Sequence, residues 1–105
     1  MQLEVFPNPL VRARGAYPYV VVLQADIAAL GRERIVAFLA PQVQVGNVAG
    51  RLMPVVTIDK RSFVVLMPSI TNVPVSELRD SVGSLQGFRE SILDAIDATF
   101  MGGVS

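Results

Sequence analysis

The chain has 105 residues, nine basic and nine acidic side chains, and a formal net charge of zero. That length holds one hydrophobic core, read as a single domain over residues 1–105, and the balanced charge lacks the basic excess of a nucleic-acid binder. Neither cysteine nor histidine occurs, which removes disulfides, thiol chemistry, the usual metal ligands and the commonest general base.

The first two-thirds of the chain read as strands. Leu3 to Phe6 alternates and is broken by Pro7, Asn8 and Pro9. Leu10 to Ala16, with Arg12, Arg14 and Gly15, reads as a loop. Tyr17 to Gln24 is rich in aromatic and β-branched residues, and its unbroken run Val20 to Leu23 predicts a strand covered on both faces. Pro18 cannot donate to a ladder and belongs at the start or edge of that strand. A small-residue turn after Asp26 ends at Gly31, and Ile35 to Leu39 forms the next strand, closed by Pro41. Val43 to Gly50, with Gly46 and Gly50, reads as a loop holding at most one turn of structure. Pro54 opens a strand over Val55 to Ile58, Asp59 to Arg61 makes a turn, and Phe63 to Met67 returns as the hairpin partner. A short further strand is expected at Ser69 to Val73.

The final segment changes period. Ser84 is expected to cap a helix by accepting from the amide of Gly87. Leu85, Phe88, Ile92, Ile96 and Thr99 then share one face at about 100° per residue, with Glu90, Asp94 and Asp97 opposite. Gly102 and Gly103 end the helix. Leu93 and Phe100 widen the apolar stripe beyond one sheet's width, and Met101 lies on the acidic side. A rigid helix ending in Phe100 and Met101 is the expected protein-binding end, because little side-chain entropy remains to be lost on docking. The chain is 51% hydrophobic with 17% charged residues; a homodimer interface is the simplest destination for that apolar excess.

Chemistry was sought along the chain with little return. No phosphate-cradling glycine motif is present. Asp94 and Asp97 are neighbours on a polar helix face, read as solvation. Arg12 and Arg14 with Thr57 or Ser62 would supply RNA cleavage through the 2′-hydroxyl only with a suitable geometry. MQLEVF is no signal peptide, and Tyr19 to Leu23, the longest apolar stretch, is far below the roughly 20 residues of a membrane span. A reducing cytoplasm fits the absence of cysteine.

Several segments, in order, resemble the CcdB family of toxins. Met1-Gln2-Leu3-Glu4-Val5 is similar to its opening strand, and Val22 to Ile27 to its strand leading into a Gln-Ser-Asp-Ile turn. Gly31-Arg32, Ile35 to Ala40, Leu52 to Ile58 with its Met53-Pro54-Val55-Val56, and Val73-Pro74-Val75-Ser76 follow. Ala95-Ile96 through Phe100 and Gly102 resembles the last helix and its tip.

The resemblance implies a homodimer on an SH3-like antiparallel barrel with a C-terminal helix, the fold shared with MazF-type endoribonucleases. It implies binding to the A subunit of DNA gyrase and trapping of its cleaved complex with DNA, without chemistry by the toxin or any cofactor. It also implies neutralisation by a CcdA-like antitoxin, whose disordered segment folds onto the dimer, and joint repression of their operon, with DNA bound only through that complex. Carried over by position, the gyrase-facing residues are Ile27, Phe100 and Gly102, with Ala25, Asp97 and Met101 standing where Ser, Asn and Trp are common in the family. Gly103 occupies the place of a terminal Ile, and Val104-Ser105 extend the chain. For an acidic antitoxin, Arg12, Arg14 and Arg51 are the expected contacts. Two other readings stand beside this one. One is a decayed homologue that dimerises and binds antitoxin without poisoning gyrase, and the other is a MazF-like endoribonuclease.

Overall fold

The computed structural model describes residues 1–24, 31–45 and 52–101. Among them, β1 (Glu4–Pro7), β2 (Tyr19–Val22), β3 (Glu33–Pro41), β4 (Val55–Ile58), β5 (Arg61–Pro74) and β6 (Gly83–Ser84) form one sheet in the order β4-β5-β3-β2-β1-β6. All its pairings are antiparallel, and the sheet curls into a nearly closed barrel carrying one C-terminal helix. The helices are α1 (Gln42–Val45), a single turn, and α2 (Arg89–Met101).

The two-sided burial expected of the second strand is present. Val20, Val21 and Val22 are all fully buried. Val21 joins the main core with Leu3, Leu39, Phe63, Met67 and Ile92, whereas Val20 and Val22 face a second cluster with Phe6, Val36, Val73 and Leu78. Strand pleating sends successive side chains to opposite faces, so a strand with a core on each side reads as a continuous apolar run. Pro18 precedes β2 and its carbonyl accepts from the Asn8 amide at 3.0 Å.

The predicted strands at Phe63–Met67 and Ser69–Val73 are one 14-residue strand, β5. Its register against β3 jumps between Ala37↔Ile70 and Phe38↔Leu66, leaving Met67, Pro68 and Ser69 as a bulge. Proline cannot donate to a ladder and is tolerated where the ladder is already interrupted. The bulge keeps the strand continuous while Met67 turns wholly into the core.

The hairpin turn is also tighter than expected. Ile58 pairs with Arg61, so the turn is Asp59-Lys60 alone, with φ of 49° and 66°. Two consecutive positive φ values make it a type I′ turn, whose twist matches that of the flanking strands.

The helix start differs as well. Ser84 belongs to β6, opposite Glu4, and its Oγ accepts from the Gln86 amide at 3.2 Å rather than from Gly87. A 3-10 turn over Gln86–Phe88 comes next, and α2 begins only at Arg89. Pairing of Gly83 and Ser84 with β1 holds the chain extended there. The Leu85 amide is bound to the Leu3 carbonyl at 2.7 Å, which further delays the helix. The apolar face of α2 is as expected. Ile92 and Ala95 are fully buried, and Phe88 and Ile96 pack against the same core. Thr99, placed on that face by spacing, turns its hydroxyl back to the Ala95 carbonyl at 2.7 Å.

Candidate functional site

The end of α2 is exposed and firmly backed. Leu85, Ile92 and Ala95 lock the helix to the barrel, while Phe100 is 59% exposed and Asp97 is exposed beside it. Leu93 is half-buried. The Phe100 ring stands at the rim of an apolar groove of 180 Å³ lined by Leu23, Gln24, Ile35, Ile70 and Ile96. The segment just after β2, with β3 and β5, therefore meets the helix end at one depression.

Of the expected gyrase-facing residues, the structure describes Phe100 and Asp97 in full and places both in the last turns of α2. Met101 closes that helix, and its side chain lies outside the described part. Ala25, Ile27 and Gly102 also lie outside the described residues. Gln24, which lines the groove, is the last described residue before Ala25.

The groove is held by polar contacts that the sequence did not advertise. Gln24 Oε1 accepts from the Ile35 amide at 2.9 Å, joining the end of β2 to β3. Gln2 Nε2 donates to the Leu23 carbonyl at 3.2 Å, Gln86 Nε2 donates to the Gln2 carbonyl at 3.1 Å, and Arg89 donates to Gln2 Oε1 at 3.3 Å. Gln2 thus links the chain's first turn, the end of β2 and the start of α2. Two of its partners, Gln86 and Arg89, are more than 80 residues away in sequence, and no local pattern marks a contact of that range.

The expected antitoxin contacts are divided. Arg12 is exposed in a 3-10 turn over Val11–Ala13. Arg14 donates from Nε to the Asn8 carbonyl at 2.6 Å, so part of its fork is spent on its own loop. Arg51 lies outside the described residues. Asn8 organises this loop. Though fully buried, it donates from Nδ2 to the Tyr17 carbonyl at 2.8 Å and accepts at Oδ1 from the Leu10 amide at 2.9 Å.

Among the described residues, no group of three acidic, cysteine or histidine side chains converges as a metal site would. Among the described residues, too, no buried side-chain polar atom lacks a partner, and no helix is long and apolar enough to cross a membrane. The end of α2 thus presents an exposed aromatic ring at the rim of an apolar groove.

No curated protein matches the chain. The family model described as CcdB protein, however, matches residues 2–102, a span that takes in the barrel, the helix and its tip. The chain belongs to the CcdB family, the toxins of toxin–antitoxin pairs.

Proposed function

We propose that this protein is a gyrase-directed toxin. As a homodimer, it binds the A subunit of DNA gyrase through Phe100, Met101, Gly102, Asp97, Ile27 and Ala25, and it traps the cleaved gyrase–DNA complex. A CcdA-like antitoxin neutralises it, and the pair represses its own operon, touching DNA only as that complex. The toxin performs no catalysis in this reading, which accords with a chain lacking histidine and cysteine.

The observation that carries the proposal is the exposed Phe100 at the end of a helix whose opposite face is buried. An aromatic side chain on a rigid support loses little entropy on docking and is the kind of residue that dominates interface energetics. The apolar groove beneath it supports contact with a second copy, since it joins Leu23, Ile35, Ile70 and Ile96 in one unfilled depression.

Met101 sets the expected potency. A tryptophan stacked on a partner arginine contributes about 1–2 kcal/mol when desolvated, whereas methionine keeps the bulk without the ring quadrupole. Expression of the chain alone is expected to arrest growth with gyrase-linked DNA breaks, and Met101→Trp is expected to bind the gyrase A subunit about tenfold more tightly. Ordinary growth, no breaks and no gyrase binding by either form would overturn the assignment. The departures at Met101, Gly103 and Val104-Ser105 favour one second reading, a homologue that retains its dimer and antitoxin but not its gyrase affinity. Antitoxin binding with no gyrase binding, restored by Met101→Trp, would identify that case.

A further inference from the structure

β2 ends on a rung that is only half backbone. At alternate positions of an antiparallel pair, directly opposed residues exchange both of their N–H···O bonds. Val21 faces Ala37 and Val22 faces Val36, so Leu23 and Ile35 are the next opposed pair. The Leu23 amide donates to the Ile35 carbonyl at 2.9 Å, as that pattern requires. The return bond is replaced. The Ile35 amide donates to Gln24 Oε1 at 2.9 Å, and the Leu23 carbonyl accepts from Gln2 Nε2 at 3.2 Å. Two side-chain carboxamides stand where one backbone bond would otherwise close the ladder.

Folding gains nothing locally from this substitution. A shielded amide and carbonyl each need a partner, and those of Ile35 and Leu23 would satisfy each other without ordering any side chain. Fixing two glutamines instead costs rotamer freedom. The turn that delivers Gln2 is strained as well. Leu3 is fully buried and has a φ of 63°, a left-handed conformation disfavoured for a bulky L-residue. Its amide donates to the Val22 carbonyl and its carbonyl accepts from the Leu85 amide, each at 2.7 Å. Such strain persists where the surroundings over-determine it, and it gathers at functional sites. The parted rung lies at one, because Leu23, Gln24 and Ile35 all line the groove at Phe100.

We propose that Gln24, assisted by Gln2, is a positioning residue: by parting the Leu23–Ile35 rung it sets the wall of this groove against the end of α2 and so aims Phe100. The inference rests on the reading of that helix end as the gyrase-binding surface. Gln24 acts from the strand side. Gln2 reaches the helix side, where its carbonyl accepts from Gln86 Nε2 and its Oε1 accepts from Arg89, the first residue of α2. The two carboxamides are used in opposite senses, Gln24 as acceptor and Gln2 as donor to the rung. Glutamate therefore suffices at position 24 and fails at position 2. Without the Gln24 acceptor, the Ile35 amide turns to the Leu23 carbonyl, which has a second lone pair, and β2 lengthens.

The test uses the full chain, isotope-labelled, and reads scalar couplings across hydrogen bonds. The wild type should show coupling from the Leu23 nitrogen to the Ile35 carbonyl carbon, and none from the Ile35 nitrogen to the Leu23 carbonyl carbon. Gln24→Met should switch the second coupling on and move the Phe100 ring and Ile96 methyl signals. Binding to the gyrase A subunit should then weaken about tenfold, the loss of one well-placed contact. Gln24→Glu should keep the wild-type couplings and Phe100 signals, whereas Gln2→Glu should close the rung. The double variant Gln2→Glu/Gln24→Met should do no more than the stronger single change, since both residues hold one rung open. Thermal melting identifies any loss of folding, and Gln24→Glu and Gln2→Glu carry the test if Gln24→Met is unstable. The proposal fails if the wild type already shows the Ile35–Leu23 coupling, or if Gln24→Glu behaves as Gln24→Met. It also fails if the rung closes while the Phe100 and Ile96 signals stay in place. If neither the wild type nor any variant binds gyrase A, the gyrase reading falls, and the couplings with the Phe100 signals still decide the positioning role.

Discussion

Asn8→Ala is expected to loosen the loop that carries Arg12 and Arg14. The wild-type carboxamide is fully buried and satisfies two backbone groups across nine residues of chain, the Tyr17 carbonyl and the Leu10 amide. Each net hydrogen bond contributes about 1 kcal/mol, and a shielded partner left without one adds part of its desolvation penalty, so the substitution should cost roughly 2–3 kcal/mol. Against a total stability of about 5–15 kcal/mol for a domain of this size, that is a substantial fraction. The Arg14 bond ends on the Asn8 backbone carbonyl and survives the change, which confines the loss to the carboxamide. Urea unfolding reads the cost as a lowered midpoint at unchanged slope, and amide exchange at Leu10 reads the local opening. A midpoint shift worth less than about 0.5 kcal/mol, with Leu10 protection intact, would refute the claim that Asn8 pins this loop.

Two substitutions on α2 should separate support from contact. Ile92→Ala, at a fully buried position in the main core, should cost about 2–5 kcal/mol in denaturant unfolding. Phe100→Ala, at an exposed position, should cost under about 1 kcal/mol while abolishing measurable gyrase A binding in a pull-down. Equal stability losses from the two would contradict the described burial. Lys60→Gly should stabilise the fold by about 0.5–1 kcal/mol, read as a higher urea midpoint, because Lys60 holds a positive φ that glycine adopts without strain; a lowered midpoint would contradict the type I′ geometry.

Much of the architecture was legible along the chain because local rules dominate there. The buried run Val20–Leu23 predicted a strand with a core on both sides. Ile92 and Ile96 predicted the buried face of α2, and Pro54 the entry to β4. Each of these follows from periodicity or from the backbone limits of one residue type. The family resemblance, carried by short motifs in order, located the helix tip at Phe100.

Other features depended on contacts between distant segments. Whether Phe63–Met67 and Ser69–Val73 are two strands or one bulged strand is decided by the register of β3, which pairs with both parts. Ser84 reads equally well as a helix cap until β1 draws it into the sheet. Gln2 acquires its place at the groove only when the first turn meets residues 86 and 89. Arg61 looks like a turn residue until Phe63 is buried beneath it. The sequence alone determined most of the strands, the C-terminal helix, and the buried faces of β2 and α2, because each rests on spacing along a single element. The tertiary structure decided the bulge, the delayed helix start and the contacts of Gln2 with Gln86 and Arg89, because each needs side chains or backbone groups from segments that meet only when the sheet closes.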